Sequence, residues 1–184
     1  MNTLIYPGSF DPVTLGHINI AVRGAALADN LIIAVLDNPS KSPLFTVHER
    51  QRFWLDSFDY ISSTEGVTMD NVEVTTFSGL LAEFARERGA NAILRGVRNA
   101  ADFEVEQRYA IHNGLLSACM GDDGIWKAGI ETIFLSSNLN TAHIASSIVK
   151  EIIKYATTPR SIEEVSNLVP PSVFDALKRK FHKV

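Results

Sequence analysis

The sequence predicts an α/β fold: a Rossmann-like, doubly wound sheet of about five parallel strands in a single domain. Two observations lead to this prediction. Short apolar segments alternate with amphipathic helical segments along the 184 residues, and residues 31–36 form a continuous apolar run, as in strands covered on both faces. Strand alternating with helix gives parallel neighbours joined by right-handed crossovers. Such sheets bind ligands beyond the carboxyl ends of their strands.

Five segments are predicted to be strands because they are short and rich in apolar or β-branched residues. They are residues 3–6, 31–36, 72–75, 92–94 and 132–135. Helices are predicted between them from apolar residues at helical spacing and from capping residues. They cover residues 16–28, residues 46–58 with a capping box of Thr46 and Glu49, residues 79–87 with Ser78 as cap, about 102–119 with Asp102 as N-cap, and 144–153.

The C-terminal segment is predicted to be a helical tail. We expect a single domain over residues 1–184, with a core at 1–156 and a tail at 157–184. A second capping box is predicted at Ser161 and Glu164, and a last short helix begins at Pro170-Pro171. The polar segments 59–71 and 121–124 are predicted to be loops.

Composition excludes several classes of protein. The net charge of -4 is mild and argues against general nucleic-acid binding, which needs a basic surface. The single cysteine, Cys119, excludes an intrachain disulfide, and no Cys/His spacing resembles a zinc site. No basic segment precedes the first strand, and the longest apolar run is too short to span a bilayer. We therefore expect a cytoplasmic protein that binds neither nucleic acid nor membrane.

Residues 6–17, with the sequence YPGSFDPVTLGH, follow the first predicted strand. Gly8 allows the backbone to approach a phosphate closely, and Ser9 offers a hydroxyl. Gly16 and His17 begin the next helix, whose free N–H groups and dipole favour an anion. His17 could donate a hydrogen bond to a phosphate oxygen. The alternative is a Gly/Pro turn followed by a solvent-facing histidine, and the whole string favours the phosphate site.

Cations or hydroxyls also follow other predicted strands. Lys41 lies in the proline-stiffened segment 38–45, and a solvated lysine is its alternative role. Arg95 and Arg98 flank a glycine and suit a phosphate clamp, with a structural salt bridge as an equal alternative. Ser146 and Ser147 begin a helix and could bind an anion or simply cap it.

The topology brings these groups to one edge of the sheet. The resulting site is rich in phosphate ligands and poor in nucleophiles or general bases. Such a site suits phosphoryl or nucleotidyl transfer, where catalysis is mostly positioning and charge stabilisation. There is no G-x-x-x-x-G-K-[ST] loop, which disfavours a P-loop enzyme. A polar helical face of Asp102, Glu106, Tyr109 and Asn113 could line a pocket or simply face solvent.

Four segments resemble, in order, the motifs of the bacterial phosphopantetheine adenylyltransferases, a family of the nucleotidyltransferase superfamily with the T/H-x-G-H motif. The segments are YPGSFDPxTxGH at residues 6–17, PSKxPxFT at 39–46, RGVRxxxDFExE at 95–106 and IxSSxVKE at 144–151. The resemblance implies transfer of the adenylyl group of ATP to 4′-phosphopantetheine, giving 3′-dephospho-coenzyme A and pyrophosphate in coenzyme A synthesis. It also implies direct attack, Mg²⁺ carried by ATP rather than by a protein metal site, and a homo-oligomer, commonly a hexamer.

The resemblance also implies roles for individual residues. His17 would stabilise the transition state, and Lys41 and Arg95 would complete the catalytic set by holding the acceptor phosphate. The implied ATP-binding residues are Ser9, Phe10, His17, Gly96, Val97, Arg98, Glu106, Thr141, Ala142, His143, Ile144, Ala145, Ser146 and Ser147. The implied acceptor-binding residues are Ser9, Lys41, Leu81, Arg95 and Asn113.

Some positions depart from the family pattern. Ser9 stands where threonine is common, Thr141 where tryptophan is common, and Ala145 where a serine is usual. Two alternatives therefore stay open. One is a nucleotidyltransferase for another phosphate acceptor, such as nicotinate mononucleotide. The other is a non-catalytic nucleotide-binding protein, which the joint presence of the phosphate-binding residues disfavours.

Overall fold

The centre of the fold is a five-stranded parallel sheet. A computed structural model describes residues 1–38, 42–120 and 126–181. The strands in chain order are β1 (Thr3–Gly8), β2 (Asn30–Leu36), β3 (Val72–Phe77), β4 (Ala92–Val97), β5 (Cys119–Met120), β6 (Trp126–Lys127) and β7 (Glu131–Ser136). The sheet order is β3-β2-β1-β4-β7, with every pairing parallel. All five predicted strands and the predicted Rossmann-like sheet are confirmed.

The strand order reverses between β1 and β4. The chain places β2 and then β3 on one side of β1, and then crosses over to place β4 and β7 on the other side. The carboxyl ends of β1 and β4 therefore flank the crevice where open α/β sheets bind ligands. The remaining strands, β5 and β6, form a separate antiparallel pair that the sequence did not predict, because two-residue strands show no periodicity.

Helices connect the strands and cover both faces of the sheet. They are α1 (Leu15–Ala25), α2 (Val47–Glu65), α3 (Leu81–Glu87), α4 (Ala100–Ser117), α5 (Ser146–Tyr155), α6 (Pro159–Glu163) and α7 (Pro171–Phe181), with a 3₁₀ turn at Glu164–Asn167. Each predicted helix is present, and the errors lie at the ends. The predicted capping box of Thr46 and Glu49 is confirmed at the start of α2.

The predicted loop at 59–71 is wrong over its first half. Helix α2 continues to Glu65 because Phe58 and Ile61 extend its buried face, and it ends at Gly66, whose φ of 66° is readily adopted by glycine. The predicted loop at 121–124 lies outside the described residues.

Three predicted caps are also wrong. Asn99, not Asp102, caps α4, because the Asn99 side chain accepts from the Asp102 N–H and places Asp102 in the first turn. Ser78 does not cap α3, which begins at Leu81 with Leu80 as N-cap and no side-chain cap bond. The second capping box is shifted: Thr158 caps α6 and Ser161 occupies the position three residues on, so Ser161 and Glu164 do not form one.

The two faces of the sheet are buried very differently. One face carries the large core cluster, in which α1, α2, α5 and α7 pack on β1, β2 and β4. The opposite face carries a small cluster centred on Ile5, Ile32 and Phe77 against α3. Helix α4 lies on this thinner side and buries only Ser117. The site is thus bounded by a thick, rigid layer on one side and a thin one on the other.

The C-terminal segment packs into the large cluster. Val165, Val169, Val173 and Leu177 are each at most 2% exposed and belong to that cluster. Leu168 also accepts, through its carbonyl, the N–H of Leu15 at the start of α1. Within the described residues, no helix combines the length and apolar character needed to cross a membrane.

Candidate active site

A cavity of about 720 Å³ opens at the carboxyl ends of β1 and β4. It is walled by the turn after β1, by the arginines at the end of β4 and by the start of α5. Predicted site residues that line it are Ser9, Phe10, His17, Arg95, Gly96, Arg98, Glu106, Thr141, Ile144, Ala145, Ser146 and Ser147. Val97, Ala142 and His143 lie beside these residues but do not line the cavity. Lys41 lies outside the described residues, whereas its neighbours Ser42 and Pro43 line the wall.

His17 sits in the first turn of α1, where a capping box fixes its ring. The Thr14 N–H donates to His17 Nδ1 over 3.1 Å, and Thr14 Oγ1 lies 3.1 Å from the same nitrogen. A neutral imidazole that accepts at Nδ1 carries its proton on Nε2. The ring therefore presents an N–H donor to the cavity that it lines.

His17 is neutral at physiological pH. Burial of the ring, together with the nearby positive charges of Arg98 and Arg95, lowers its pKa to about 4. The interaction that His17 offers a phosphate is thus a hydrogen bond from a neutral donor. The electrostatic role of His17 in transfer stays a prediction.

Phe10 supports the turn after β1 by packing its ring against His17 and Trp54. Its ring packs edge-on against the imidazole at 5.1 Å and against Trp54 at 4.9 Å. Its backbone φ of 48° lies in the left-handed region, which a non-glycine residue adopts at a cost of about 1 kcal/mol or more. The Phe10 ring leaves no room for a side chain at Gly8, since an added Cβ would lie 2.7 Å from the ring. The aromatic packing stabilises a strained turn that aims His17.

Asp11 ties the turn to the segment that follows β2. Its carboxylate accepts the N–H groups of Leu44 and Phe45, each over 2.9 Å, and lies 3.2 Å from Lys150 Nζ. The side chain is 9% exposed. Three donors around this nearly buried carboxylate fix the relative position of the two segments.

Arg50 makes the complementary link from α2. It is 2% exposed, and its guanidinium donates to the carbonyls of Phe45, Ser9 and Leu36 at 3.0, 2.5 and 2.9 Å. Sequence reasoning missed both Asp11 and Arg50 as site residues. Asp11 was visible as part of the motif, but nothing in a helical sequence marks Arg50 as buried.

Both arginines at the end of β4 are paired with carboxylates on α4. Arg95 Nε and Nη2 each lie 2.6 Å from an oxygen of Glu106, and Arg95 Nη1 donates to the Pro7 carbonyl over 2.8 Å. Arg98 makes a similar two-point pair with Asp102, at 2.5 and 3.0 Å. The predicted salt-bridge alternative is therefore present, yet both arginines still line the cavity.

The start of α5 forms the third wall. Ala145 is the N-cap and makes no side-chain cap bond, so the first N–H groups of the helix keep their donor capacity. Ser146 Oγ donates to the Pro12 carbonyl over 2.8 Å, which anchors this wall to the turn after β1. The helix dipole and its free N–H groups favour an anionic ligand here.

A second cavity of about 350 Å³ adjoins the first. It contains Leu81, Tyr109, Asn113 and Thr132, so the predicted Leu81 and Asn113 lie together in it. Six residues line both cavities: Pro7, Gly8, Ser9, Leu36, Arg95 and Glu106. Arg95 and Glu106 thus stand at the junction of two adjoining binding spaces.

No group of three or more His, Cys, Asp or Glu side chains within the described residues could hold a metal ion. The cations and N–H donors around the larger cavity instead suit the phosphates of a nucleotide. This arrangement, on this sheet, defines a nucleotidyltransferase-type site, and residues 5–152 match the model of the cytidylyltransferase-like family.

Proteins of similar sequence identify a family within this class. A phosphopantetheine adenylyltransferase from Caldanaerobacter subterraneus subsp. tengcongensis is 42% identical, covering 100% of this chain and 99% of the relative. One from Synechococcus sp. is 40% identical, covering 96% of each chain. One from Shouchella clausii is 39% identical over the whole of both chains. The chain therefore belongs to the phosphopantetheine adenylyltransferase family of nucleotidyltransferases.

Solved structures agree on the fold at much lower identity. Nicotinic acid mononucleotide adenylyltransferase from Plasmodium falciparum, complexed with NaAD, superposes with a TM-score of 0.63 at 14% identity, covering 99% of this chain and 96% of that one. A putative nicotinate-nucleotide adenylyltransferase from Vibrio parahaemolyticus gives 0.51 at 15% identity, covering 96% and 99%. At these identities the likeness concerns the architecture alone.

Proposed function

We propose that this chain transfers the adenylyl group of ATP to 4′-phosphopantetheine, giving 3′-dephospho-coenzyme A and pyrophosphate in coenzyme A biosynthesis. The observation that carries the proposal is the pair of adjoining cavities with Arg95 at their junction. A nucleotide in the larger cavity and an acceptor arm in the smaller one would bring their phosphates together beside His17. Both volumes are in the range of small-molecule sites, about 300–1,000 Å³.

ATP occupies the larger cavity in this proposal. Its phosphates face Arg98 and the free N–H groups at the start of α5, and its α-phosphate lies beside the Nε2–H of His17. The ATP set is Ser9, Phe10, His17, Gly96, Val97, Arg98, Glu106, Thr141, Ala142, His143, Ile144, Ala145, Ser146 and Ser147. Two contacts support this assignment. The packing of Phe10 on His17 fixes the wall formed by the turn after β1, and the Arg98–Asp102 pair fixes the wall at the end of β4.

The acceptor occupies the smaller cavity, with its phosphate at the junction. Arg95 and Ser9 hold that phosphate, and Lys41 joins them by resemblance. Leu81 and Asn113 contact the pantetheine arm, which suits one apolar and one amide group. The location of Leu81 and Asn113 in the second cavity supports this orientation.

Transfer proceeds by direct attack. An oxygen of the acceptor phosphate bonds to the α-phosphorus of ATP, and the bond from that phosphorus to the bridging oxygen breaks, so that pyrophosphate leaves. His17 donates a hydrogen bond to the non-bridging oxygens as their charge develops. A fixed neutral donor stabilises that charge without reorganisation at the moment of reaction.

Mg²⁺ enters with ATP rather than occupying a protein cage. Mg²⁺ is usually bound through substrate phosphates with few protein ligands. The ion would neutralise charge on the leaving pyrophosphate. Within the chain, Arg98 and Lys150 are cationic residues that line the same cavity.

We also propose a homo-oligomer in the cytoplasm, hexameric as the resemblance implies. Helix α4 supports self-association because Tyr109, Ile111, Leu115 and Leu116 are each more than half exposed. Apolar surface of this kind favours burial at an interface. Light scattering coupled to size exclusion measures the mass directly, and a monomer at micromolar concentration would contradict this proposal.

One assay tests the function against its alternatives. Purified protein with ATP and Mg²⁺ is offered 4′-phosphopantetheine, nicotinate mononucleotide or glycerol phosphate, and pyrophosphate release is measured. We expect release only with 4′-phosphopantetheine. Release with another acceptor alone would replace the proposed substrate. If no pyrophosphate is released with any of the three acceptors although ATP binds tightly, the protein would be a non-catalytic nucleotide-binding protein.

A further inference from the structure

We infer that Glu106 is a positioning residue for the acceptor: it presets the Arg95 guanidinium to bind the acceptor phosphate, an inference that rests on the proposed function. The motif resemblance gives Glu106 only a contact with ATP. Its carboxylate, however, holds Arg95 through two bonds of 2.6 Å on the Nε and Nη2 side. Two parallel bonds fix the plane of the guanidinium as well as its position.

The remaining donors of Arg95 are what the acceptor would use. A guanidinium has five N–H groups, and among the described residues three are engaged, two by Glu106 and one by the Pro7 carbonyl. One N–H on each terminal nitrogen is left. Because Arg95 lines both cavities, a phosphate at the junction can receive both of them together.

Glu106 should affect binding of the acceptor more than binding of ATP, because it holds Arg95, the proposed ligand of the acceptor phosphate. Glu106 also lines both cavities, and its side chain is 17% exposed, so its pair with Arg95 is better shielded than a surface ion pair. Asp102, one turn earlier on α4, holds Arg98, which lines only the larger cavity. The two carboxylates on one face of α4 therefore set one arginine for each substrate.

The test is Glu106→Gln, which keeps the size of the side chain and removes its charge. The amide can accept from one Arg95 nitrogen only, so the guanidinium gains freedom that acceptor binding must remove again. We expect the KM for 4′-phosphopantetheine to rise about three- to tenfold, the range for ordering one such side chain. We expect the KM for ATP, whose cavity Glu106 also lines, to rise by a smaller factor than the KM for the acceptor.

Two further variants separate positioning from general damage. In an Arg95→Lys background, Glu106→Gln should add little, because a lysine cannot be held by two parallel bonds. Glu73→Gln removes an Arg–carboxylate pair, with Arg88, that lies away from both cavities, and should leave both KM values unchanged. Equal melting temperatures for Glu106→Gln and wild type would exclude unfolding as the cause.

The results that would contradict the inference differ from those that would contradict the proposed function. A rise in the KM for ATP with an unchanged acceptor KM would overturn the inference and leave the proposed function standing. Full additivity of the Arg95→Lys and Glu106→Gln effects would also overturn it. Wild-type protein that releases no pyrophosphate with 4′-phosphopantetheine would instead overturn the proposed function, and the inference with it.

Discussion

The turn after β1 and helix α4 form opposite walls of one site, yet they are held in place in different ways. In the turn, Phe10, Val13 and Thr14 are at most 4% exposed and belong to or adjoin the large core. Helix α4 buries only Ser117 and is joined to the site by two ion pairs. The wall that carries His17 is thus fixed by core packing. The wall that orients the arginines is held by ion pairs and by the contact of the exposed Phe103 ring with Phe134 on the edge strand β7.

In the proposed function, the turn after β1 acts in the transfer step and helix α4 acts in substrate binding. The donor that acts on the transferred phosphorus needs a constant position, which a packed core provides. The arginines on the other wall meet ligands that enter and leave, and ion pairs there can rearrange at lower cost than a core can. Substitutions in the turn should therefore alter turnover or stability strongly, and substitutions on α4 should alter affinity mildly.

The largest effect is expected for His17→Ala. Loss of a transition-state donor typically lowers kcat about 10²-fold or more. The partly buried His17 ring lines the cavity rather than the core, so folding should change little. Steady-state kinetics with both substrates measures this loss, and the exposed His48 on α2 gives a matched control as His48→Ala. Wild-type turnover in His17→Ala would remove the turn from the mechanism.

A smaller effect is expected for Asp11→Asn. The amide keeps an oxygen acceptor but loses the charge that Leu44, Phe45 and Lys150 share. Hydrogen bonds to charged groups contribute about 1.5–3 kcal/mol, so the free energy of unfolding should fall by about 2 kcal/mol.

The matched variant on the opposite wall is Asp102→Asn. Its pair with Arg98 is partly exposed, and such pairs contribute about 0–1 kcal/mol. Urea denaturation of both variants measures the two losses. Equal losses would contradict the contrast between a buried wall and a polar one.

A further prediction concerns pH. The folded-state pKa of His17, about 4, lies below the ordinary value near 6.5. Between these values the unfolded chain binds a proton that the folded chain does not, so the contribution of His17 to stability is present above pH 6.5 and declines as the pH falls toward 4.

Denaturation at pH 7.5 and pH 5 tests this linkage. Wild type should lose more stability between the two pH values than His17→Asn, which has no group to titrate at that position. Parallel losses in the two proteins would show that the ring is protonated as readily in the folded state as in the unfolded one.

The strands and the site edge followed from the sequence because their signals are local. The run of residues 31–36 marks a buried strand, and residues 6–17 combine turn, hydroxyl and helix start in one string. The strand rule then placed Arg95 and Arg98 near His17 without any knowledge of contacts, and the shared cavity confirms that proximity.

What the sequence missed depends on long-range contacts. Arg50 occupies a helix position that would be expected to face solvent, yet it donates to three carbonyls, of which those of Ser9 and Leu36 lie in distant segments. Asn99 and Asp102 are both good caps by residue type, and only the backbone geometry selects Asn99. The two-point pairing of Arg95 with Glu106 was left open for the same reason, since an arginine near a carboxylate fits a clamp and a salt bridge equally.

Direct transfer between the two cavities is the central claim, and isotope exchange tests it most directly. The protein is incubated with ATP, Mg²⁺ and labelled pyrophosphate, without any acceptor, and label in ATP is measured. In the proposed mechanism His17 is a hydrogen-bond donor and the acceptor phosphate is the nucleophile, so we expect no exchange until 4′-phosphopantetheine or its adenylylated product is added. Exchange in the absence of both would show an adenylylated enzyme and contradict the account.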